Sequence, residues 1–189
     1  MTTGQRLGAG LLAVALLCMV AAPSRPAMTV AVRPARRSDT PLIYGFIRQL
    51  AEYEKLLDAV DAAEQDIAAA LWAEPPRAFC DIAEADGRPI GFALWFYSFS
   101  TFRGRAGIYL EDLFVVPEAR GLGAGKALLT GLAQRCAREG LGRLEWAGAE
   151  LERPGDPLLR RPRREAMDGW TVRRLSGDAL KAVADEAPP

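Results

Sequence analysis

Histidine is absent from all 189 residues. That absence removes Ser-His-Asp and Cys-His catalysis, a His general base and His-ligated zinc. Cysteine is scarce. Cys18, Cys80 and Cys136 are odd in number and widely spaced, which fits neither a disulfide framework nor a metal knuckle. Cys80 and Cys136 are expected to pack as small apolar side chains, and no metal site is predicted. Neither sign of charge is in excess, because 24 basic residues offset 24 acidic ones. Without a basic surplus, nucleic acid is not an expected partner. The apolar run from Leu7 to Ala22 falls short of the ~20 residues that a membrane span needs. What remains is 50% hydrophobic and 25% charged, the composition of one ordinary globular domain with a real core.

The order of elements predicts an α/β domain. Thr29 to Ala35 reads as a strand. Ser38 or Asp39 is placed to cap a helix with Pro41 in its first turn, and Leu42, Ile43, Phe46, Ile47 and Leu50 form its apolar face. That helix ends near Tyr53-Glu54-Lys55. A second helix, Ala62 to Ala73, stops before Pro75-Pro76. Phe79 to Glu84 and Ile90 to Phe99 form a hairpin about Asp86-Gly87. After a connection from Ser100 to Gly107, Ile108 to Val116 forms a buried strand that Pro117 ends. An amphipathic helix follows over Ala124 to Glu139, with Gly140 at its C-terminus. Strands at Arg143 to Ala147 and Trp170 to Leu175 and a short helix from Asp178 complete the pattern.

The most specific stretch is Tyr109 to Lys126, YLEDLFVVPEARGLGAGK. Here a strand leads through a Gly-rich loop into a helix N-terminus. Such a loop lets several backbone N–H groups converge on a phosphate or pyrophosphate. The bland alternative is a Gly-rich turn without a ligand. A P-loop is excluded, since it needs Gly where Arg120 stands and Ser or Thr where Ala127 stands. A Rossmann fingerprint is excluded by the mid-chain location and by the spacing of Gly121, Gly123 and Gly125.

Arg120-Gly121-Leu122-Gly123-Ala124-Gly125, after a strand ending Val-Val-Pro, resembles the acyl-CoA loop of the GNAT superfamily of N-acetyltransferases. The likeness runs from Thr29 to Leu180. It is nearest the diamine (spermidine/spermine) and thialysine branch, where Tyr-Leu-Glu-Asp precedes the loop. The segment Ser100 to Arg105 looks more like the thialysine side. The acidic residue and Trp of the polyamine enzymes are missing there.

The resemblance implies the GNAT fold, a mixed, mostly antiparallel sheet flanked by helices. It also implies acetyl-CoA as co-substrate, a small primary amine as acceptor and a homodimer. Backbone N–H groups of Leu113, Phe114 and Val115 would bind the acetyl carbonyl and pantetheine arm. Backbone from Gly121 through Leu122, Gly123, Ala124 and Gly125 to Lys126 would hold the pyrophosphate. Arg120 would add a charge-assisted contact, whereas Lys126 either does the same or is solvated. Tyr53 and Glu54 either contact the amine or form a solvated helix end.

Glu111 and Asp112 sit in an apolar strand. Strand alternation would point them to opposite faces. Asp112 is expected to be paired structurally, for example with Arg. Glu111 is expected to orient the amine and accept its proton, through water.

Two segments depart from the pattern. Residues 1–27, with Arg6, an apolar run and Pro23-Ser24-Arg25-Pro26-Ala27, resemble a weak signal peptide. Acetyl-CoA is cytosolic and Met28 directly precedes the first strand. The domain is therefore expected to begin at Met28 and to be cytoplasmic, with secretion or tethering as the minority alternative if residues 1–27 are retained.

Residues 148–165 are rich in Pro and Arg and lack helical periodicity. The family expects there a segment like Val-Leu-x-Trp-Asn-x-x-Ala-Ile-x-Phe-Tyr, whose Tyr is the acid beside the CoA sulfur. Shifting the frame by one base permits that pattern in register, with Tyr where Leu159 stands. This suggests two compensating frameshifts. If the segment is genuine, the chain is an impaired enzyme or a non-catalytic acyl-CoA sensor.

Overall fold

The computed structural model describes residues 28–147 and the single positions 178 and 184. Residues 1–27, the segment 148–165 with Leu159, and the strand expected at 170–175 lie outside them. Of the final helix only Asp178 and Ala184 are described, and both are helical.

Five strands form one sheet in the order β1 (Val30–Pro34), β2 (Phe79–Ala85), β3 (Arg88–Ser100), β4 (Arg105–Val115) and β5 (Leu144–Trp146). Strands β1 to β4 pair antiparallel, and β5 runs parallel to β4. A parallel neighbour needs a crossover, and α3 (Ala124–Glu139) supplies it. The helices α1 (Thr40–Tyr53) and α2 (Glu64–Trp72) lie between β1 and β2 in the chain. This is the mixed, mostly antiparallel α/β architecture that the sequence predicts.

Apolar spacing assigns each helix to a face. From α1, Ile43 and Phe46 pack with Ile82, Phe92 and Phe114. Phe46 stacks on Phe92 at 5.8 Å and tilts against Phe114 at 6.2 Å. Aromatic pairs of this kind contribute roughly 0.5–1.5 kcal/mol beyond their area. On the other face, Leu128, Leu132 and Cys136 of α3 pack with Trp95, Ile108 and Leu110. Cys80 and Cys136 are free and buried, and burial pushes both thiols up.

Several boundaries differ from the sequence reading. The hairpin of β3 and β4 runs further toward its tip, with Ser98 opposite Gly107 and Ser100 opposite Arg105. These are polar or side-chain-free pairs, invisible to a search for apolar alternation. Neither Ser38 nor Asp39 caps α1 through its side chain. The Asp39 carboxylate instead accepts from Arg36 N–H at 2.7 Å and from the Arg33 guanidinium at 2.7 and 3.1 Å. At the β2–β3 turn, Asp86 and Gly87 both have positive φ, 48° and 76°, as a two-residue hairpin with that sequence requires.

Candidate active site

The centre of β4 is irregular. Leu94 of β3 faces Asp112 while Trp95 faces Leu110, so Glu111 is an extra residue with no partner across the ladder. A bulge of this kind breaks the two-residue alternation of side chains. Ile108 and Leu110 belong to the α3-side core, and beyond the bulge Leu113 and Val115 do so too, while Phe114 belongs to the α1-side core. The phase has moved by one residue. Glu111 and Asp112 therefore both fall on the α1 side, rather than one on each face. The signal was present in the sequence, since apolar residues at 108 and 110 give way to apolar residues at 113 and 115.

The consequence for Asp112 is electrostatic. It is half-buried and, among the described residues, has no Arg or Lys partner. The structural pairing with Arg expected for it is not found. Burial pushes its carboxyl up to about 6, with added repulsion from Glu111 and from Glu54 at the end of α1. Glu111 itself is exposed. Helix end and bulge thus bring three carboxylates into one field.

Among the described residues, the parallel pairing of β4 with β5 ends at Leu110 opposite Trp146. Beyond it, no described strand covers that edge of β4. Val116 N–H donates to Ile90 O at 2.9 Å. Alternation then turns the Phe114 N–H toward β3 as well, and turns those of Leu113 and Val115 to the opposite edge. Phe114, expected to donate to a ligand, is thereby engaged in the sheet.

After β4, Pro117–Ala119 makes one tight turn, and Arg120 follows it. Gly121 and Gly123 have φ of +87° and +90°, a region that a Cβ disfavours. Gly123 is the N-cap of α3, so the first N–H groups of the helix, on Ala124, Gly125 and Lys126, have no intrahelical acceptor. Leu122 differs, because its N–H donates to Ala119 O at 3.3 Å. Ala124 and Gly125 are buried, which fixes the start of the helix against the sheet. Lys126 is exposed and lines a groove of about 630 Å³ between α3 and β1.

Arg120 joins the loop to α1. Its Nε donates to Val115 O at 3.3 Å, on the edge of β4 away from β3. Its guanidinium carbon lies 4.4 Å from the centroid of the Tyr53 ring. Tyr53, Glu54, Glu111, Asp112 and Arg120 thus gather around one end of β4. Leu159 lies outside the described residues. Among those residues no cluster of His, Cys, Asp and Glu could hold a metal ion, and no helix is long and apolar enough to cross a membrane.

Comparison with known proteins agrees with this geometry. Residues 46–157 match the model of the Acetyltransferase (GNAT) family. The thialysine N-epsilon-acetyltransferase of Bos taurus is 34% identical, covering 82% of this chain and 97% of that protein. The L-ornithine N5-acetyltransferase NATA1 of Arabidopsis thaliana is 25% identical, over 85% of this chain and 90% of its own length. Among solved structures, an integron cassette protein from the mobile metagenome of V. cholerae superposes with a TM-score of 0.67 at 23% identity, covering 84% of this chain and 99% of that one. A ribosomal-protein-alanine N-acetyltransferase from Brucella melitensis shares the fold with a TM-score of 0.63 at 17% identity, over 79% and 99% of the two chains. A Gly-rich helix start after a bulged strand, on a chain so related, has one consistent meaning: the protein belongs to the GNAT family and is an amine N-acetyltransferase.

Proposed function

We propose that the chain moves acetyl from acetyl-CoA to the primary amine of a small molecule, a thialysine-like amino acid or a diamine, by direct attack in a ternary complex. The observation that carries this reading is the gathering of Glu54, Glu111 and Asp112 at the bulge of β4. A cluster of carboxylates favours a cationic amine. A carboxylate held near 6 can then take the proton that the ammonium must lose, directly or through water. Glu111 keeps its proposed role, and Asp112 joins it as the group whose proton affinity is raised.

The remaining parts follow from the backbone. Leu113 and Val115 N–H groups are the donors aimed at the coenzyme arm and the developing oxyanion. Gly121, Gly123 and the first N–H groups of α3 face the pyrophosphate, with Arg120 adding charge. The amine nitrogen attacks the thioester carbon, the C–N bond forms, the C–S bond breaks, and the thiolate leaves. With Leu159 in place of the expected Tyr, no acid is assigned to that thiolate, so turnover is proposed to be slow. The relatives carry the names of acetyltransferases and lend no support to a non-catalytic sensor. By the same resemblance we propose a homodimer, and from the cytosolic supply of acetyl-CoA and the place of Met28 just before β1 we propose a domain beginning at Met28 and a cytoplasmic enzyme.

Steady-state CoA release with a panel of thialysine, ornithine and short diamines tests the substrate class. Acetyl-CoA turnover that depends on one of these amines is expected. Binding of acetyl-CoA with no amine-dependent release across the panel would refute the proposal.

A further inference from the structure

Tyr53 is 54% exposed, so the core does not require its ring. The ring nevertheless lies under Arg120, with the guanidinium carbon 4.4 Å from the centroid. The same side chain is held from a second direction by its Nε bond to Val115 O. The ring lies against the guanidinium carbon, and the carbonyl takes Nε. Among the described residues, no acceptor meets the Nη donors. A planar fork fixed in this way is suited to bidentate recognition of a phosphate. It stands next to Gly121 in the chain and three residues before Gly123, the N-cap of α3, whose first N–H groups have no intrahelical acceptor.

We infer that Tyr53 is a positioning residue for the coenzyme: its ring holds Arg120 ready for the pyrophosphate of acyl-CoA, so the substrate end of α1 contributes to coenzyme affinity before any amine is bound. This rests on the acyltransferase reading above and deepens it. An unrestrained arginine loses rotamer freedom when it captures an anion, and one already held loses less. An exposed cation–π contact corresponds to about a three- to fivefold change in affinity. Phe at position 53 keeps the ring face, whereas Ala removes it.

The test is calorimetric titration of CoA, with no amine present, into wild type, Tyr53→Ala, Tyr53→Phe, Arg120→Ala and the double variant Tyr53→Ala/Arg120→Ala. The expected result is a Kd about three- to fivefold higher for Tyr53→Ala, near wild type for Tyr53→Phe, and no further loss from Tyr53→Ala once Arg120 is gone. Tyr53→Ala binding CoA like wild type would overturn the inference. So would an equal loss in the Arg120→Ala background, because Tyr53 would then act by some other route. A wild-type chain that binds no CoA would overturn the acyltransferase reading itself, and with it this inference.

Discussion

Asp112 is the residue whose protonation bears on stability and, in the proposed mechanism, on catalysis. Burial, then Glu111 and Glu54, lift its carboxyl from an ordinary 3.8 to about 6. Between those values the folded chain holds a proton that the unfolded chain releases. Stability therefore falls as pH rises through that window. Asp81 is also pushed up, mainly by burial, and adds a slope of the same sign. Comparison with Asp112→Asn isolates the Asp112 part. The variant is expected to show a shallower fall in urea midpoint between about pH 4 and about pH 7 than wild type. Its acetyl-transfer rate should lose the limb that rises through about pH 6 in wild type, because only the carboxylate accepts a proton. An unchanged limb would assign the base elsewhere. The cost of burying a lone carboxylate suggested an Asp112 paired with Arg, and the sequence gave no hint of Glu54, since its repulsion of Asp112 joins a helix end to a strand far along the chain.

At the scale of elements, the bulge in β4 decides the site. It is one residue, Glu111, inserted into an otherwise regular ladder. Deleting Glu111 would leave Leu110 facing α3, Asp112 facing α1 and Leu113 facing α3, which is perfect alternation. The deletion variant is therefore expected to fold with little loss in melting temperature while losing turnover by about 100-fold or more, the scale of a positioned base. Thermal melts and CoA-release rates on the same preparation check this. Full activity with a regular strand would show that the bulge has no catalytic part. The Gly-rich loop was readable in advance because positive φ restricts the residue type, and Gly121 and Gly123 adopt it. The length of the β3–β4 hairpin was not, because Ser100, Arg105 and Gly107 carry no apolar pattern.

For the whole molecule, Arg33 joins β1, β2 and the entry to α1. It pairs with Asp39 at 2.7 Å and with Glu84 at 2.7 Å, and all three side chains are at most 24% exposed. The hydrogen bond to Arg33 holds the Asp39 carboxyl below its usual value. That contribution is present above the ordinary 3.8 and is lost as pH falls through the lowered value. Arg33→Leu leaves Asp39 and Glu84 without their cation. It is expected to cost about 1.5–3 kcal/mol at neutral pH by denaturant unfolding, with the gap to wild type narrowing as the solution is acidified through the carboxylate range. A gap independent of pH would mean that the loss is one of packing alone.

The sequence by itself determined the class of the protein. Period-two and helical apolar spacing set the order of strands and helices, the absence of histidine removed whole families of chemistry, and the Gly-rich turn after a buried strand pointed to an anion at a helix start. These are local properties, carried by backbone preference and by the face that each element must bury. Tertiary structure decided what the site can do. Pairing with β3 left Glu111 unmatched, the resulting change of phase put two carboxylates on the α1 side, and the crossing of α1 over that face brought Glu54 to Asp112 and Tyr53 to Arg120. Register and the approach of distant elements depend on packing summed over the domain, so no spacing along the chain encodes them.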